Sequence, residues 1–511
     1  MSTQTAVAER DAVLAQLMAI GAEPVAAVLR RLTEEEPDRT VLTLIREDGE
    51  VSHATRQELN DLATRMARVL SSHGVDDRGA VAGCLPNSVE LVALAFATWR
   101  LGAAFLPVNP KMPAFERDGV LDLQDPTVTV HDVDEDLGRP AVRLAEFLDA
   151  SARESSEPLE DRVAWPGKMI ASGGSTGRSK IIVTPWPWMH LREWGEPTNN
   201  EIGVRPGMRH LVSGPIYHNW QFDQCFHPIM NGGSVVMLDR FDARRAVDAV
   251  RDYRVEYAAL VPTTMRRIAH LDGLDPADLR SLEAICHTAA PCPPAIKREW
   301  IDLIGAERVY ELYGAAESIG LCVIRGDEWL TRPGTVGRPV ACEVRILSDD
   351  GETLPPGELG AIFLRKPATD PTGEYRGAEP LHRTDDGFVT VGDLGWVDDD
   401  GFLYLADRRK DLIITGGVNV YPAEVEAVLA DHPKIAEAIV VGIDDEEWGK
   451  RVHAIVEPRA GAMLDAEEVR AFCRARLQPA KVPKTLEFVT EIPRSDAGKA
   501  RRTQLGTNRS A

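Results

Sequence analysis

A segment rich in glycine and hydroxyl side chains carries the clearest chemistry in this sequence. Three glycines and four hydroxyl residues precede a lysine between residues 172 and 180. Glycines let backbone amides turn toward an anion, hydroxyls add donors, and the lysine adds a positive charge. The segment therefore predicts a polyphosphate-binding loop, and a flexible surface loop is the alternative. Its candidate ligands are Ser172, Gly173, Gly174, Ser175, Thr176, Gly177 and Lys180.

Five further segments follow this loop in a fixed order. The loop itself has neither the Gly-Lys-Ser/Thr spacing of a Walker loop nor a GxGxxG pattern. Together the six blocks resemble those of the acyl-adenylate-forming superfamily, which includes acyl-CoA synthetases, luciferases and adenylation domains. Segments 287–294 and 419–426 are most similar to its carboxylic-acid and bile-acid-type CoA ligases. The five blocks are 215–218, 310–317, 391–394, 407–411 with Gly416 and Gly417, and 494–499.

The resemblance implies an ATP site with a role for each matching residue. Ser172 to Lys180 would bind the β- and γ-phosphates, and Glu317 would bind Mg²⁺, which prefers oxygen ligands. Tyr313 would stack on adenine, and Asp393 would accept both ribose hydroxyls. Arg408 would lie near the ribose and phosphate. The remaining nucleotide contacts that the resemblance implies are Ala289, Ala290, Pro291, Gly314, Ala315 and Ala316.

The resemblance also implies an acid pocket and a mobile small domain. His218 would lie where the acid and thiol channels meet, with Trp220, Gln221, Ala289 and Gly314 lining the pocket. Lys499 would bridge the acid oxygen and the α-phosphate during adenylation. Lys410 would be the hinge, and Gly417 would replace Lys499 when the thioester forms, because glycine lets the pantetheine arm pass closely.

Two departures from the family pattern bear on the substrate. Ala316 stands where the family has threonine, so one hydrogen bond to the adenylate, worth about 0.5–1.5 kcal/mol, is lost. Trp220 follows the Pro-x-Tyr-His block. If its indole faces the pocket it favours a short or flat acid, and if it faces the core it does not restrict the acid.

These residues predict an AMP-forming ligase with ATP, Mg²⁺ and CoA as reactants. The enzyme would adenylate a small or aromatic acid and transfer the acyl group to CoA as a thioester. One alternative is an ATP-dependent ligase of the same fold with an amine acceptor, including a diazotase that activates nitrite for an aryl amine. Another is a nucleotide-binding protein without catalysis. A stand-alone carrier protein and a homodimer are left open.

Composition narrows the environment of the protein. The 511 residues include 58 Lys and Arg against 80 Asp and Glu, for a formal net charge of −22. This balance argues against sequence-independent nucleic-acid binding and against docking on anionic lipid. Seven cysteines with no CxxC pair give neither a closed disulfide framework nor a spaced zinc site. With no secretory signal or membrane span in the pattern, we expect a cytoplasmic protein.

Alternating apolar and amphipathic runs indicate the elements that position these residues. Short apolar runs between 211 and 312 alternate with helical patterns such as 243–251 and 294–304, which predicts an α/β fold with a helix-covered parallel sheet. From about Gly334, turn-punctuated strands predict a small β-rich subdomain. The last hundred residues predict a compact α+β unit. The expected domains are 1–409, with the ATP and acid site, and 410–511, with the hinge and the catalytic lysine.

Overall fold

In the part of the chain that the structure describes, the strands form five sheets, of 15, 5, 4, 3 and 2 strands. The computed structural model describes residues 3–173, 179–191, 199–367, 372–408, 411–459, 461–493, 502 and 505. Within these ranges the strands are β1 Glu23–Pro24, β2 Thr40–Ile45, β3 Val51–Thr55, β4 Ala80–Cys84, β5 Ala104–Pro107, β6 Val128–His131, β7 Ala141–Arg143, β8 Met169–Gly173, β9 Ser179–Val183, β10 Met189–His190, β11 Arg209–Val212, β12 Ser234–Leu238, β13 Tyr257–Leu260, β14 Ala284–His287, β15 Val309–Gly314, β16 Leu321–Arg325, β17 Thr335–Val340, β18 Glu343–Leu347, β19 Gly360–Arg365, β20 Glu374–Arg376, β21 His382–Arg383, β22 Val389–Thr390, β23 Asp393–Val397, β24 Leu403–Arg408, β25 Ile413–Thr415, β26 Val418–Val420, β27 Ile435–Asp445, β28 Gly449–Pro458 and β29 Thr485–Phe488.

Helices cover the sheets of the large N-terminal part and one face of the C-terminal part. In the described ranges they are α1 Thr3–Ala19, α2 Val25–Glu35, α3 Arg56–Ser72, α4 Val89–Arg100, α5 Ala114–Gln124, α6 Leu144–Ser151, α7 Asn219–Met230, α8 Ala243–Tyr253, α9 Pro262–Ala269, α10 Pro294–Ile304, α11 Gly326–Thr331, α12 Pro422–Ala430 and α13 Ala466–Arg474. The predicted helix over 294–304 matches α10, and the one over 243–251 extends to Tyr253. None of the helices among the described residues is long and apolar enough to cross a membrane.

The central sheet contains the parallel array that the sequence predicts. Strands β2, β12, β11, β13, β14 and β15 lie side by side, and each pair in this series is parallel. One face packs through Leu211, Ala258 and Ile285 against α8, α9 and α10, with Trp300 fully buried between them. Since parallel strands end at the same edge, the segments after β13, β14 and β15 lie together. That edge is where the candidate site is found.

The strands between residues 334 and 408 are antiparallel, as expected for the predicted β-rich subdomain, and β17 joins them to the central sheet. The hairpin at 398–401 joins β23 to β24, and β24 pairs with β17. A separate C-terminal sheet combines β25 to β29, and Val425, Leu429 and Val469 of α12 and α13 bury their side chains against it. The predicted α/β fold class, with a large sheet domain and a small α+β domain, is confirmed. The boundary between 409 and 410 lies outside the described residues and stays a prediction.

Candidate active site

A cavity of about 2530 Å³ opens at the carboxyl edge of the central sheet and is closed on one side by the C-terminal domain. It brings together predicted site residues that are more than two hundred residues apart in the sequence, from Ser172 to Asp393. Fourteen predicted site residues line it. They are Ser172, Lys180, His218, Trp220, Gln221, Ala289, Ala290, Pro291, Tyr313, Gly314, Ala315, Ala316, Glu317 and Asp393.

Other predicted site residues lie apart from this cavity or outside the described residues. Gly417 is exposed in the tight turn between β25 and β26, with φ of 80°, and does not line the cavity. The backbone of Arg408 ends β24 and pairs with that of Asp393. Gly173 ends β8 and pairs with Ser179. Gly174, Ser175, Thr176, Gly177, Lys410 and Lys499 lie outside the described residues.

Lys180 and Glu317 meet on one wall of the cavity. Lys180 lies on β9, and Glu317 lies in the turn after β15, not at the start of a helix. The Lys180 Nζ atom is 3.4 Å from Glu317 Oε1, and the hydroxyl of Tyr375 donates to the same oxygen. The Lys180 Nζ atom also lies 3.5 Å from the centroid of the Tyr375 ring. A carboxylate in a cavity that admits phosphates fits Mg²⁺, which commonly binds one carboxylate together with nucleotide phosphates.

A second carboxylate is held by a tyrosine on another wall of the cavity. The Tyr313 hydroxyl, at the end of β15, donates to Asp393 Oδ2 at 2.8 Å. Asp393 begins β23, and both residues are half-buried. A carboxylate oriented in this way has acceptor capacity for the hydroxyls of a sugar. The sequence placed both residues in the site but did not indicate the bond between them.

The first turns of α7 form the wall that the sequence assigns to the acid. Gln221 accepts from the Gly214 amide at 3.2 Å and donates to the Ala259 carbonyl at 3.1 Å, so its amide group is fixed. Trp220 lines the cavity and also packs against the apolar cluster around Tyr257. The Trp220 indole therefore contacts the core and also narrows the cavity, so it combines the two orientations that the sequence left open. His218 is the residue before α7, with its ring 4.8 Å from that of Tyr217.

A buried lysine beside this wall was not indicated by the sequence. Lys168 Nζ lies 2.6 Å from Asp223 Oδ1 and 2.8 Å from Asn219 Oδ1. It also lies 5.7 Å from the centroid of the Trp188 ring. Trp188, Asn219 and Asp223 line the cavity. Because Lys168 precedes the glycine-rich segment and belongs to no quoted motif, only the three-dimensional structure reveals this group.

A second lysine–glutamate pair lies between α10 and β15, and its Glu311 also lines the cavity. Lys297 Nζ is 2.6 Å from Glu311 Oε2, and their side chains are 1% and 11% exposed. The ammonium also lies 4.6 Å from the centroid of the Trp329 ring. Burial would raise the pKa of Glu311, but the charge of Lys297, the neighbouring His287 and the hydrogen bond from Lys297 together hold that pKa below its ordinary value. Beside the pair, burial lowers the pKa of His287 to about 4.

The two domains are joined by charged contacts next to the cavity. Arg266 of α9 pairs with Glu437 of β27 at 2.6 Å and donates to the Ala436 carbonyl at 2.7 Å. Arg502 pairs with Glu426 of α12, and both of these residues line the cavity. The C-terminal domain therefore supplies part of the wall of the site.

All seven cysteines lie among the described residues, and all are free thiols. Burial raises the pKa of each one, to about 11 for Cys84 and Cys473 and to about 12 for Cys286.

Comparison with protein families identifies the chain. Residues 29–371 match the AMP-binding enzyme family, and residues 424–499 match the AMP-binding enzyme C-terminal domain. The chain belongs to the AMP-binding enzyme family. It is 30% identical over 488 residues to the 2-succinylbenzoate–CoA ligase of Bacillus licheniformis, covering 93% of this chain and 98% of that protein. It is 30% identical over 471 residues to the feruloyl-CoA synthase of an Amycolatopsis species, covering 89% and 94%.

Solved structures agree with the fold. The O-succinylbenzoate coenzyme A synthetase of Bacillus subtilis, in complex with ATP and magnesium ion, superposes with a TM-score of 0.79 at 26% identity, covering 94% of this chain and 98% of that one. The amide bond synthetase of Marinactinospora thermotolerans superposes with a TM-score of 0.81 at 25% identity, covering 95% and 99%.

These findings confirm the central predictions from the sequence. The resemblance to the acyl-adenylate-forming superfamily is confirmed, and the chain is an AMP-forming ligase of the acid–CoA type. ATP, Mg²⁺ and CoA as reactants are supported by the same comparisons. The roles of individual residues stay predictions.

Proposed function

We propose that this enzyme adenylates an aromatic carboxylic acid with ATP and then transfers the acyl group to CoA. The observation that carries the proposal is the meeting of Lys180, Glu317, Tyr313 and Asp393 in one cavity, from segments far apart in the sequence. Their chemistry matches a nucleoside triphosphate. Lys180 and Glu317 offer a cation and a metal-binding carboxylate to the phosphates, and Asp393, held by Tyr313, offers a carboxylate to the sugar.

In the first half-reaction, an acid oxygen attacks the α-phosphorus of ATP and pyrophosphate leaves. Lys180 and Ser172 would bind the departing phosphates, and Glu317 would hold a magnesium ion. Magnesium supplies neutralisation of the phosphate charge. Asp393, oriented by Tyr313, would fix the ribose, so that the α-phosphorus is positioned for in-line attack.

The remaining roles concern the acid, the hinge and the thiol. Lys499 would bridge the acid and the α-phosphate, where two anions meet and a cation is needed. Arg408 would lie by the ribose and phosphate, and Lys410 would act as the hinge. In the second half-reaction the CoA sulfur attacks the acyl carbonyl and AMP leaves. His218 would lie where the acid and thiol channels meet, and the Gly417 turn would lie beside the thiol.

The shape of the acid wall supports an aromatic substrate. Trp188 and Trp220 both line the cavity, and offset or edge-to-face packing on an indole stabilises an aromatic ring. Trp220 also takes up space that a long acyl chain would need. The relatives named above carry aromatic acids in their names, in agreement with this class.

A pyrophosphate-release assay with a panel of acids tests the proposal. We expect benzoate-, indole- and cinnamate-type acids to stimulate release in the presence of Mg·ATP, and a thioester to form when CoA is added. Fatty acids of twelve or more carbons should stimulate it at least tenfold less. Release that requires nitrite together with an aryl amine would contradict the proposal.

A substitution of Lys499 tests the adenylation step itself. Lys499→Ala should slow adenylation by about 10²–10³-fold, the usual effect of removing one group that stabilises transition-state charge, while ATP binding stays within a few fold. Lys484→Ala is the matched control, because Lys484 lies in the same domain over the Trp448 ring and not in the cavity. Adenylation by Lys499→Ala at the wild-type rate would refute the role of Lys499.

An amine acceptor is the second candidate for the transfer step. The similarity to an amide bond synthetase favours it specifically. Mass spectrometry of the product formed from one acid with CoA and an amine in competition separates the two acceptors. A thioester supports the first candidate, and an amide formed at the expense of the thioester supports the second.

The cellular location and the partners of the enzyme are also proposed from the sequence. We propose a cytoplasmic enzyme whose partners are a small-molecule acid and its acceptor. A stand-alone carrier protein and a homodimer stay predictions, which native mass spectrometry of the purified enzyme can test.

A further inference from the structure

Tyr375 connects the two charged groups at the phosphate end of the cavity. We propose that Tyr375 is a positioning residue for Mg·ATP, whose hydroxyl orients the Glu317 carboxylate toward the metal and whose ring positions the Lys180 ammonium. The proposal rests on the ATP site described above and extends it to a residue in none of the six sequence blocks.

The backbone brings Tyr375 to this place. Strand β20 pairs antiparallel with β9, in a register that sets Tyr375 opposite Ile182, two residues from Lys180. On its other side, the amide of Gly373 donates to the Glu317 carbonyl at 2.6 Å. A Cβ at position 373 would lie 3.1 Å from that carbonyl oxygen, so glycine allows this close approach. Tyr375 is therefore tied through backbone contacts to both the strand of Lys180 and the turn of Glu317.

The side-chain contacts use one oxygen of the carboxylate. The Tyr375 hydroxyl and the Lys180 ammonium both donate to Glu317 Oε1. These two contacts do not use Oε2. Glu317 is only 7% exposed, and two donors on one oxygen restrict rotation of its carboxylate. The Glu317 carboxylate is therefore already oriented, and its second oxygen, Oε2, can bind a cation without a change of rotamer.

The hydroxyl and the ring of Tyr375 contribute separately to the binding of Mg·ATP. Hydrogen bonds from outer residues to a ligating carboxylate typically change metal affinity or activity by 10–100-fold. A cation over an aromatic ring is stabilised by about 0.5–1 kcal/mol at accessible sites. The hydroxyl should therefore govern dependence on Mg²⁺, and the ring should govern the placement of Lys180. AMP lacks the β- and γ-phosphates and does not engage this end of the site.

Calorimetric titrations of the full chain test this assignment. Tyr375→Phe keeps the ring and removes the hydroxyl, whereas Tyr375→Leu removes both. Tyr404→Phe is the matched control, because the Tyr404 hydroxyl donates to Asp398 at 3.3 Å and Tyr404 does not line the cavity. Each variant is titrated with ATP at a series of Mg²⁺ concentrations, with ATP in EDTA, and with AMP.

The expected result separates the two contributions. In Tyr375→Phe, the Mg²⁺ concentration at which ATP affinity reaches half of its maximum should rise by 10–100-fold. The affinity for AMP should stay within twofold of the wild-type value. Tyr375→Leu should show the same shift and bind ATP in EDTA about two- to fivefold more weakly, the equivalent of 0.5–1 kcal/mol. Tyr404→Phe should match the wild type in every titration.

Three outcomes would overturn the proposal. Unchanged Mg²⁺ dependence in Tyr375→Phe, with normal Mg·ATP binding by the wild type, refutes it alone. An equal loss of AMP affinity, or a large fall in the unfolding temperature, indicates a general structural role and also refutes it. Failure of the wild type to bind Mg·ATP refutes the ATP site itself, so the two failures are distinguishable.

Discussion

Two lysine–glutamate–aromatic groups have glutamates only six residues apart, Glu311 and Glu317, and the groups differ in how exposed their lysines are. Lys297 and Glu311 are 2.6 Å apart, with the lysine almost fully buried against Trp329. Lys180 and Glu317 are 3.4 Å apart beside Tyr375, and the lysine side chain is 18% exposed to the cavity. Both glutamates line the cavity, so the pairs differ in their lysines. We call the first pair, whose lysine is 1% exposed, the closed pair, and the second, whose lysine is 18% exposed, the open pair.

A single hairpin carries both glutamates, Glu311 on β15 for stability and Glu317 in the turn after β15 for binding. In the closed pair the lysine is almost fully shielded from solvent, so the two charges depend on each other. A longer pair at a cavity can give up its mutual contact when a phosphate and a metal ion offer stronger ones. Substitutions should therefore affect folding at the first pair and ligand binding at the second.

The largest expected effect is on the closed pair. Lys297→Met should leave Glu311 buried without its partner and lower the free energy of unfolding by about 3–5 kcal/mol. Chemical denaturation measures this loss. The double variant Lys297→Met with Glu311→Leu should recover more than half of it, because the uncompensated charge is removed too. Equal instability of the single and double variants would contradict the interpretation of the pair as mutually dependent.

The open pair should show the opposite behaviour. Lys180→Met removes a charged donor, worth about 1.5–3 kcal/mol to a bound phosphate, so ATP affinity should fall by roughly 10–150-fold. The free energy of unfolding should change by less than about 1 kcal/mol. Calorimetric titration with ATP and with AMP measures the first effect, and AMP should bind as before. A loss of stability as large as that of Lys297→Met would erase the distinction between the two pairs.

The smallest expected effect comes from His287, which lies beside the closed pair. Burial lowers its folded pKa to about 4, so between pH 6.5 and 5 the unfolded chain binds a proton that the folded chain does not. Stability should therefore fall as pH falls through this range, by up to about 2 kcal/mol at 1.36 kcal/mol for each pH unit. Unfolding measured against pH for wild type and His287→Asn should show a flatter dependence in the variant. Parallel curves would exclude His287 as a source of the slope.

The sequence predicts much of the fold because its signals are local. Apolar runs alternating with helical patterns identify β11 to β15 and α10, and the turn at 398–401 indicates the hairpin of β23 and β24. Within the site, the resemblance to the acyl-adenylate-forming superfamily indicates Lys180, Glu317, Tyr313 and Asp393, all of which line the cavity.

Long-range contacts explain what the sequence could not predict. Tyr375 reaches Glu317 through the pairing of β20 with β9, nearly two hundred residues away, and no spacing in the chain encodes that register. Lys168 and its partner Asp223 are separated in the same way. Gly417 was expected near the thiol, but its turn lies off the cavity in this arrangement of the domains, so its role stays a prediction.

The seven free thiols, five of them buried and two partly buried, have a practical consequence for watching the two domains move. With pKa values raised by burial, they should react slowly with maleimides, since the thiolate is the reactive form. Cysteines introduced at Phe115 and Met463, which are 74% and 89% exposed, would then accept a fluorophore pair with little background. Energy transfer between these labels would report the separation of the large and small domains as Mg·ATP, acid and CoA are added in turn.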